Sequence, residues 1–340
     1  MTDIIFQFKY TQSEELNDTD LMAPHLGGAG RRPEGDEKRI PHQICRNSQK
    51  GQQKPMNTQK TTGILYLCAT PIGNLEDITY RVVRTLAEVD LIAAEDTRNS
   101  IKLLTHFDIH TPMTSYHEFN KYDKAEELVK ILKDGKDIAL ITDAGTPGIS
   151  DPGEILVKMC MEESIPVTSL PGACAAVTAL TMSGQSTRRF AFEAFIPGEK
   201  RERKRILENL KNETRTIVIY EAPHHLVKTL TDLYETLGNR SITLCRELTK
   251  KHEENMKTTL EDVLKYYKDN EPRGEYVLVI EGRSFEDIET ERQNSFLDLS
   301  IKEHVEYYES QGLDRKEAMR AAAKDRGISK RDVYNELLAD

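Results

Sequence analysis

The sequence is short of the features that announce a compartment or a standard cofactor. Tryptophan is absent, which decides nothing. The five cysteines, Cys45, Cys68, Cys160, Cys174 and Cys245, are scattered, odd in number and without a CxxC pair. They read as reduced thiols in a cytosolic protein, mostly buried small hydrophobes, not as a disulfide framework. No apolar run approaches transmembrane length, and the N-terminus lacks the basic-then-apolar pattern of a signal peptide. There is no GxxxxGK[ST] and no GxGxxG, so a conventionally bound nucleotide phosphate or NAD is not expected. HExxH is missing and the histidines are dispersed, so His224-His225 is not read as a metal site and no metal is expected. A net charge of −10 argues against a protein that coats nucleic acid non-specifically, while leaving room for a local basic patch.

What is present fits a soluble globular chain. Of 340 residues, 38% are hydrophobic and 31% charged, and the length favours two domains with a small appendage. Residues 1–62 differ from the rest. They hold Gly27-Gly28-Ala29-Gly30-Arg31-Arg32-Pro33 and a Gln/Lys-rich run, a composition that predicts disorder, and Met56 is read as the biological start. From Gly63 strands and helices alternate. Strands are predicted at 64–69, 90–94, 138–142 and 165–170, and helices at 77–88, 121–133 and 154–163, with a small-residue helix opening near 172–176. Such alternation implies a parallel sheet with helices on its faces. This first α/β domain spans 63–185. A second, 186–283, carries strands at 190–195, 216–220, 242–245 and 276–280 between helices at 201–211, 224–237 and 260–268. An acidic linker follows at 284–298. Residues 299–340 read as helical, with breaks at Gly312 and Gly327 and a helix-turn-helix-like pair at 315–324 and 329–338.

The chain is organised around residues 138–153, IALITDAGTPGISDPG. A buried strand breaks into Asp143-Ala144-Gly145-Thr146-Pro147-Gly148, where glycines 145 and 148 permit positive φ and close approach of a ligand. Asp151 and Pro152 then predict a helix start, with Asp151 as N-cap. An ordinary tight βα connection reads the same way. Four loops stand out, three of them immediately after predicted strands: Thr70-Pro71-Ile72-Gly73-Asn74, Glu95-Asp96-Thr97-Arg98, Asp143-Ala144-Gly145-Thr146-Pro147 and Pro171-Gly172-Ala173-Cys174-Ala175. In a parallel sheet the carboxyl ends of the strands share one edge, so these loops converge there. The helix start after Gly172 has free N–H groups able to hold a carboxylate. The second block adds Tyr220-Glu221-Ala222-Pro223-His224 and Arg246-Glu247-Leu248-Thr249-Lys250.

Residues 63–282 resemble the ribosomal RNA small subunit methyltransferase I family, a branch of the tetrapyrrole-methylase-like class of S-adenosylmethionine enzymes. The resemblance rests on Ala69-Thr70-Pro71-Ile72-Gly73-Asn74-Leu75, Ala94-Glu95-Asp96-Thr97-Arg98, residues 143–153, residues 171–176, Tyr220-Glu221-Ala222-Pro223-His224 and Arg246-Glu247-Leu248-Thr249-Lys250. The first loop departs from the Gly-Pro-Gly type of the tetrapyrrole methylases proper and is similar to the rRNA branch. Residues 1–55 match nothing in the family. The resemblance implies two tandem α/β domains with a cofactor cleft between them, a homodimer, and S-adenosylmethionine as cofactor. It also implies 2′-O-methylation of a cytidine ribose in the decoding region of 16S rRNA (cytidine 1402 in customary rRNA numbering), acting on rRNA within the 30S subunit.

The loops and the resemblance together assign cofactor binding to Thr70, Pro71, Gly73, Asp143, Ala144, Gly145, Thr146, Pro147, Pro171, Gly172, Ala173, Ala175 and Ala222. A sugar hydroxyl is a poor nucleophile unless its proton is removed or its charge is shielded. Asp96, Glu95, Glu247, His117 and Lys250 are candidates for that work, with Arg98 beside them, and the sequence does not choose among them. Asp96 and Arg98 fix the loop equally well by pairing with each other. The densest basic cluster, Lys200, Arg201, Arg203, Lys204 and Arg205, is assigned to rRNA phosphates, although such a cluster is also the ordinary solvated face of a helix. Two other functions compete: a methylase of a small tetrapyrrole-like acceptor, and a non-catalytic RNA-binding assembly factor that kept the fold.

Overall fold

The structure is a computed structural model that describes residues 62–296 and 299–339. The N-terminal extension up to residue 61, with the expected start at Met56, lies outside the described residues. Five short strands make the first sheet: β1 (Leu65–Cys68), β2 (Leu91–Ala94), β3 (Met113–Ser115), β4 (Ile138–Ile141) and β5 (Val167–Leu170). Their order is β3-β2-β4-β1-β5, and every pairing is parallel. Central β4, Ile-Ala-Leu-Ile, is buried at all four positions, as a strand covered on both faces must be. Alternate side chains divide between the faces. Leu65, Ile138 and Leu140 pack with α3 (Lys121–Lys133) and α4 (Gly153–Glu162), while Cys68, Ala139 and Ile141 pack with α1 (Tyr80–Glu88) and α2 (Thr97–His106). The chain therefore leaves β4 toward one face and leaves β1 and β2 toward the other. Where neighbouring strands part in this way, a crevice opens beyond their carboxyl ends.

The second sheet is mixed. Its strands β6 (Phe190–Phe195), β7 (Thr216–Glu221), β8 (Ser241–Arg246), β9 (Glu254–Thr259) and β10 (Tyr276–Ile280) run in the order β6-β7-β10-β8-β9. Only β6 and β7 are parallel; the other pairings are antiparallel. Helices α6 (Lys200–Leu210), α7 (Pro223–Leu237) and α8 (Leu260–Asp269) cover one face through Leu207, Leu226, Leu230 and Val263. The opposite face receives α5 (Ala175–Met182), which follows β5 in sequence but packs on Val218, Cys245, Val277 and Val279. Ile72, from the loop after β1, joins that same cluster. Helix α5 and the β1 loop thus hold the two sheets together.

Three elements were not legible in the sequence. They are β3, only three residues long; β9, a mostly exposed edge strand reading Glu-Asn-Met-Lys-Thr-Thr; and α2, capped by Asp96. The segment read as an acidic linker is helical over Phe285–Ser295, here α9. A last cluster brings α10 (Ile301–Ser310), α11 (Arg315–Asp325) and α12 (Lys330–Ala339) around Val305, Tyr308, Ala318, Ala322 and Val333. Ser300 and Glu303 form a reciprocal capping box at its entrance. Gly312 and Gly327 adopt the left-handed φ that ends α10 and α11. Among the described residues no helix is long and apolar enough to cross a membrane.

Candidate active site

All four of the singled-out loops follow strands of the first sheet, and they meet at its carboxyl edge. Two of them are stitched together. Thr70 N–H donates to the Gly145 carbonyl at 2.9 Å and Gly145 N–H returns to the Thr70 carbonyl at 3.0 Å, while Thr70 Oγ1 donates to the Thr142 carbonyl. Gly145 and Gly148 have φ of +84° and +85°, so both use the freedom that only glycine has at little strain. Thr146 Oγ1 ties the same loop to the Ala173 carbonyl at 2.9 Å. Asp151 accepts from Gly148 N–H and from Gly153 N–H, both near 2.8 Å. Asp151, expected as the N-cap, stands one residue before it, because α4 begins at Gly153 and the cap position falls on Pro152.

These bonds shape a cleft of about 300 Å³ between the two sheets, at the lower end of the range for small-molecule sites. Ala144, Gly145, Thr146, Ile149, Ser150, Asp151 and Pro152 line it from the loop after β4, Glu95 and Thr142 from the first sheet's edge, Glu118 from the loop after β3, and Ile72 from the loop after β1. Cys174 and Ala175 form the wall at the start of α5, and Phe195 and Tyr220 close it from the second sheet. Phe195 reaches the cleft because the β6–β7 register shifts between Phe192 and Phe195, with Ala194 at φ +51°; a bulge re-aims a side chain in this way. Tyr220 sits edge-on to Phe195 at 5.7 Å between centroids, and its hydroxyl accepts from Ala176 N–H at 3.0 Å.

The electrostatics are one-sided. Glu95, Glu118 and Asp151 line the cleft, and no described Lys or Arg does. Glu95 Oε2 accepts from Thr142 Oγ1 and from Asp143 N–H. Asp143, just behind, accepts from Asp96 N–H at 3.2 Å and Asn99 Nδ2 at 3.3 Å. Burial, reinforced by the Glu95 carboxylate, pushes the Asp143 carboxyl up to about 6. Burial likewise raises Asp151, opposed by the N–H groups of Gly148 and Gly153. Such a pocket disfavours anionic ligands and suits one that presents positive charge beside apolar surface. Among the described residues no group of three or more His, Cys, Asp or Glu side chains is placed to hold a metal.

The structure sorts the residues assigned from sequence. Ala144, Gly145, Thr146 and Ala175 line the cleft, as does Glu95 among the acid–base candidates. The others stand elsewhere. Thr70 and Pro71 are buried and not among the residues lining the cleft, and the Thr70 backbone is committed to Gly145. Gly73 is turned toward Leu248, Thr249 and Lys250. Pro147 is buried in its loop, and Asp143 supports the floor without lining it. Pro171 is exposed and outside the cleft lining; Gly172 is needed because a Cβ there would lie 2.5 Å from the Ala69 Cβ; and Ala173 supplies its carbonyl to Thr146. Ala222 is buried at the start of α7, its N–H held by Glu221. The N–H of Ala176 is not free for a carboxylate, because Tyr220 takes it.

Asp96 caps α2 and is gripped by Arg98 through Nε at 3.1 Å and Nη2 at 2.9 Å. The guanidinium holds the Asp96 carboxyl below the usual carboxylate range. The pair fixes the loop and stands outside the cleft lining. Glu247 and Lys250 pair with each other on the far side of the Ile72 loop. His117 is half-buried beside the cleft-lining Glu118, its Nδ1 without a hydrogen-bond partner among the described residues. Arg203 requires a correction. It is only 6% exposed, and its guanidinium is spent on Asp232 at 2.5 Å, Thr229 Oγ1 at 2.9 Å and the carbonyls of Ile196 and Pro197. It anchors α6 to α7 and is unavailable to phosphate. Lys200, Arg201, Lys204 and Arg205 remain exposed on the outer face of α6.

Sequence reasoning missed Ile72, Glu118, Thr142, Cys174, Phe195 and Tyr220 as lining residues, together with the stretch from Ile149 to Pro152. Most stand beside residues it did single out. Phe195 carried no signal, since only the bulge in β6 brings it to the cleft.

A crevice at a parallel sheet's switch point, roofed by a second mixed sheet, defines the class: residues 64–264 match the tetrapyrrole (corrin/porphyrin) methylases. Solved structures of a diphthine synthase (TM-score 0.52, 12% identical, covering 65% of this chain and 91% of that one) and of the methyltransferase CobJ (0.51, 16%, 65% and 95%) are similar in fold. Sequence relatives are much nearer. The ribosomal RNA small subunit methyltransferase I of Halalkalibacterium halodurans is 47% identical over 283 residues, 83% of this chain and 97% of that protein. The Synechocystis sp. protein of the same name is 48% identical over 282 residues, 82% and 99%. The chain belongs to the ribosomal RNA small subunit methyltransferase I family.

Proposed function

We propose that this protein transfers a methyl group from S-adenosylmethionine to the 2′-hydroxyl of a cytidine ribose in the decoding region of 16S rRNA, cytidine 1402 in customary numbering. The names of its relatives supply small-subunit rRNA as the substrate. The observation that carries the cofactor is the charge of the cleft: three lining carboxylates, no lining Lys or Arg among the described residues, and apolar walls from Ile72, Ala175, Phe195 and Tyr220. S-adenosylmethionine has a sulfonium, an adenine and no phosphate, so it fits a pocket that lacks phosphate-binding cations. When bound, it supplies a methyl already activated by the sulfonium charge.

Ala144, Gly145 and Thr146 would hold the cofactor from one side, and Cys174, Ala175, Phe195 and Tyr220 from the other. Positioning then supplies much of the rate. Of the six residues considered for catalysis only Glu95 lines the cleft. Its Oε2 is fixed by Thr142 and Asp143, which orients the carboxylate to accept the ribose proton. The exposed cations of α6 offer the rRNA backbone its charge contacts. The site of action is the cytoplasm, on rRNA within the 30S subunit, and the working form is a homodimer. The test is methyl transfer from labelled S-adenosylmethionine to 30S subunits, with Glu95→Gln as the variant. Glutamine keeps an acceptor for Thr142 and Asp143 but removes the base, so turnover should fall by about 10²–10⁴. Unchanged turnover would remove Glu95 from the mechanism.

A further inference from the structure

The turn after β8 is strained and unusually well braced. Glu247 and Thr249 adopt left-handed φ of +50° and +65° although neither is glycine. Strain of this kind persists only where the surroundings over-determine it, and here they do. Lys250 Nζ lies 2.9 Å from Glu247 Oε1 and 2.8 Å from Glu275 Oε2. Glu247 Oε1 also accepts from Glu275 N–H, and Glu247 N–H donates to the Glu275 carbonyl at 2.9 Å. Two close approaches bracket the cluster. A Cβ on Gly274 would lie 2.5 Å from Glu247 Cγ, and a Cβ on Gly73 would lie 2.5 Å from Lys250 Cγ and 2.8 Å from Thr249 Oγ1. The second of these belongs to the first sheet. The carboxylate pair therefore fixes Lys250, the Lys250 stem seats Gly73, and the residue before Gly73 is Ile72, which lines the cleft. Leu248 of the same turn packs in one cluster with Ile72, Ala175 and Ala176.

We infer that Lys250 is a positioning residue of the cofactor cleft: held between Glu247 and Glu275, it sets the Gly73 loop and thereby Ile72 in the cleft wall. The inference rests on the reading of that cleft as the S-adenosylmethionine site. Lys250 lies outside the cleft lining, so its effect falls on cofactor binding and not on proton transfer. Losing the ammonium leaves two carboxylates facing each other without a cation, and the strained turn relaxes away from Gly73. Arginine can span both carboxylates and keeps the seat.

The experiment is calorimetry with S-adenosylhomocysteine on wild type, Lys250→Met, Lys250→Arg, Gly73→Ala and the Gly73→Ala/Lys250→Met double variant, with steady-state kinetics on 30S subunits. Lys250→Met should bind the ligand about tenfold or more weakly, with kcat at saturating cofactor within about twofold of wild type, and Lys250→Arg should restore most of the affinity. Gly73→Ala should show the same defect, and the double variant should be far less than additive, because both changes act through one contact. Lost kcat with intact ligand affinity would make Lys250 a participant in the chemistry and overturn the inference. Additive effects, or a lowered melting temperature with affinity unchanged, would overturn it as well. Should Lys250→Met fail to fold, Gly73→Ala and Lys250→Arg decide alone: normal binding by Gly73→Ala, or tenfold weakening by Lys250→Arg, sinks the idea. A wild type that binds no S-adenosylhomocysteine overturns the cofactor reading and this inference with it. A wild type that binds while Lys250→Met binds equally overturns only the inference.

Discussion

Helix α6 separates two roles that look alike in the sequence, and the separation can be measured. Arg201, Lys204 and Arg205 are exposed, and the carboxylates nearest to Lys204 and Arg205 stand at 3.6 and 3.7 Å. Exposed pairs of that length contribute about 0–1 kcal/mol, so the cations are readily released to a phosphate. Each phosphate contact steepens the dependence of log K on log salt by about 0.7–0.9. Replacing the three with alanine should therefore flatten the slope for 30S binding by about 2–3. Between 50 and 200 mM salt, that difference makes the variant lose roughly twenty- to fortyfold less affinity than wild type. Stability should change by only about 0.5 kcal/mol per site, and S-adenosylmethionine affinity should stay put, since α6 does not line the cleft. Arg203→Met should behave in the opposite way. It removes the charged partner of the half-buried Asp232 carboxylate, at roughly 1.5–3 kcal/mol of stability, without altering the salt slope. The assay is a titration of 30S subunits at several salt concentrations, paired with thermal melts. A triple variant with the wild-type slope would show that α6 is not the RNA surface.

Other outcomes follow from the cleft. Asp143→Asn should stabilise the protein most above pH 6. The Asp143 carboxyl is raised from 3.8 to about 6 by burial and by Glu95, so its contribution favours the fold below its unfolded value and is lost as pH rises through the folded one, roughly 3 kcal/mol in all. Melting temperatures of the two proteins at pH 5 and pH 8 check this; an equal gap at both would refute it. Gly145→Val should abolish cofactor binding and lower stability, because φ is +84° and a β-branched residue there is strained by more than about 1–2 kcal/mol; normal calorimetric binding would remove the loop from the site. Light scattering at micromolar concentration should give the dimer mass, and a clean monomer would contradict it.

Four of the first sheet's five strands were legible, the clearest being the continuous apolar run Ile-Ala-Leu-Ile of β4, which ends in a loop of small residues; β3, Met-Thr-Ser, carries no such run. The positions of Gly145, Gly148 and Asp151 follow from that local chemistry. What the sequence hid depends on contacts between distant segments. Nothing local distinguishes Arg203 from Arg201 or Arg205; only the arrival of Asp232 and Thr229 from α7 makes it an anchor. Thr70 has the same residue type as a ligand-binding threonine, but its backbone is used up by Gly145, seventy-five residues away in sequence. From the sequence Gly73 and Gly172 are assigned to cofactor binding, whereas their missing Cβ atoms make room for Lys250 and Ala69. Phe195 enters the cleft through a bulge that no periodicity announces.

The proposed reaction moves a methyl group from S-adenosylmethionine to one ribose oxygen. The most direct measurement is incubation of the purified protein with tritiated S-adenosylmethionine and 30S subunits lacking the modification, followed by nucleoside analysis and mapping of the labelled position. Label is expected in 2′-O-methylcytidine at position 1402 of 16S rRNA, sharply reduced by Glu95→Gln. Label on a base, at another nucleotide or only on a small tetrapyrrole acceptor would contradict it, as would a protein that binds the subunit and transfers nothing.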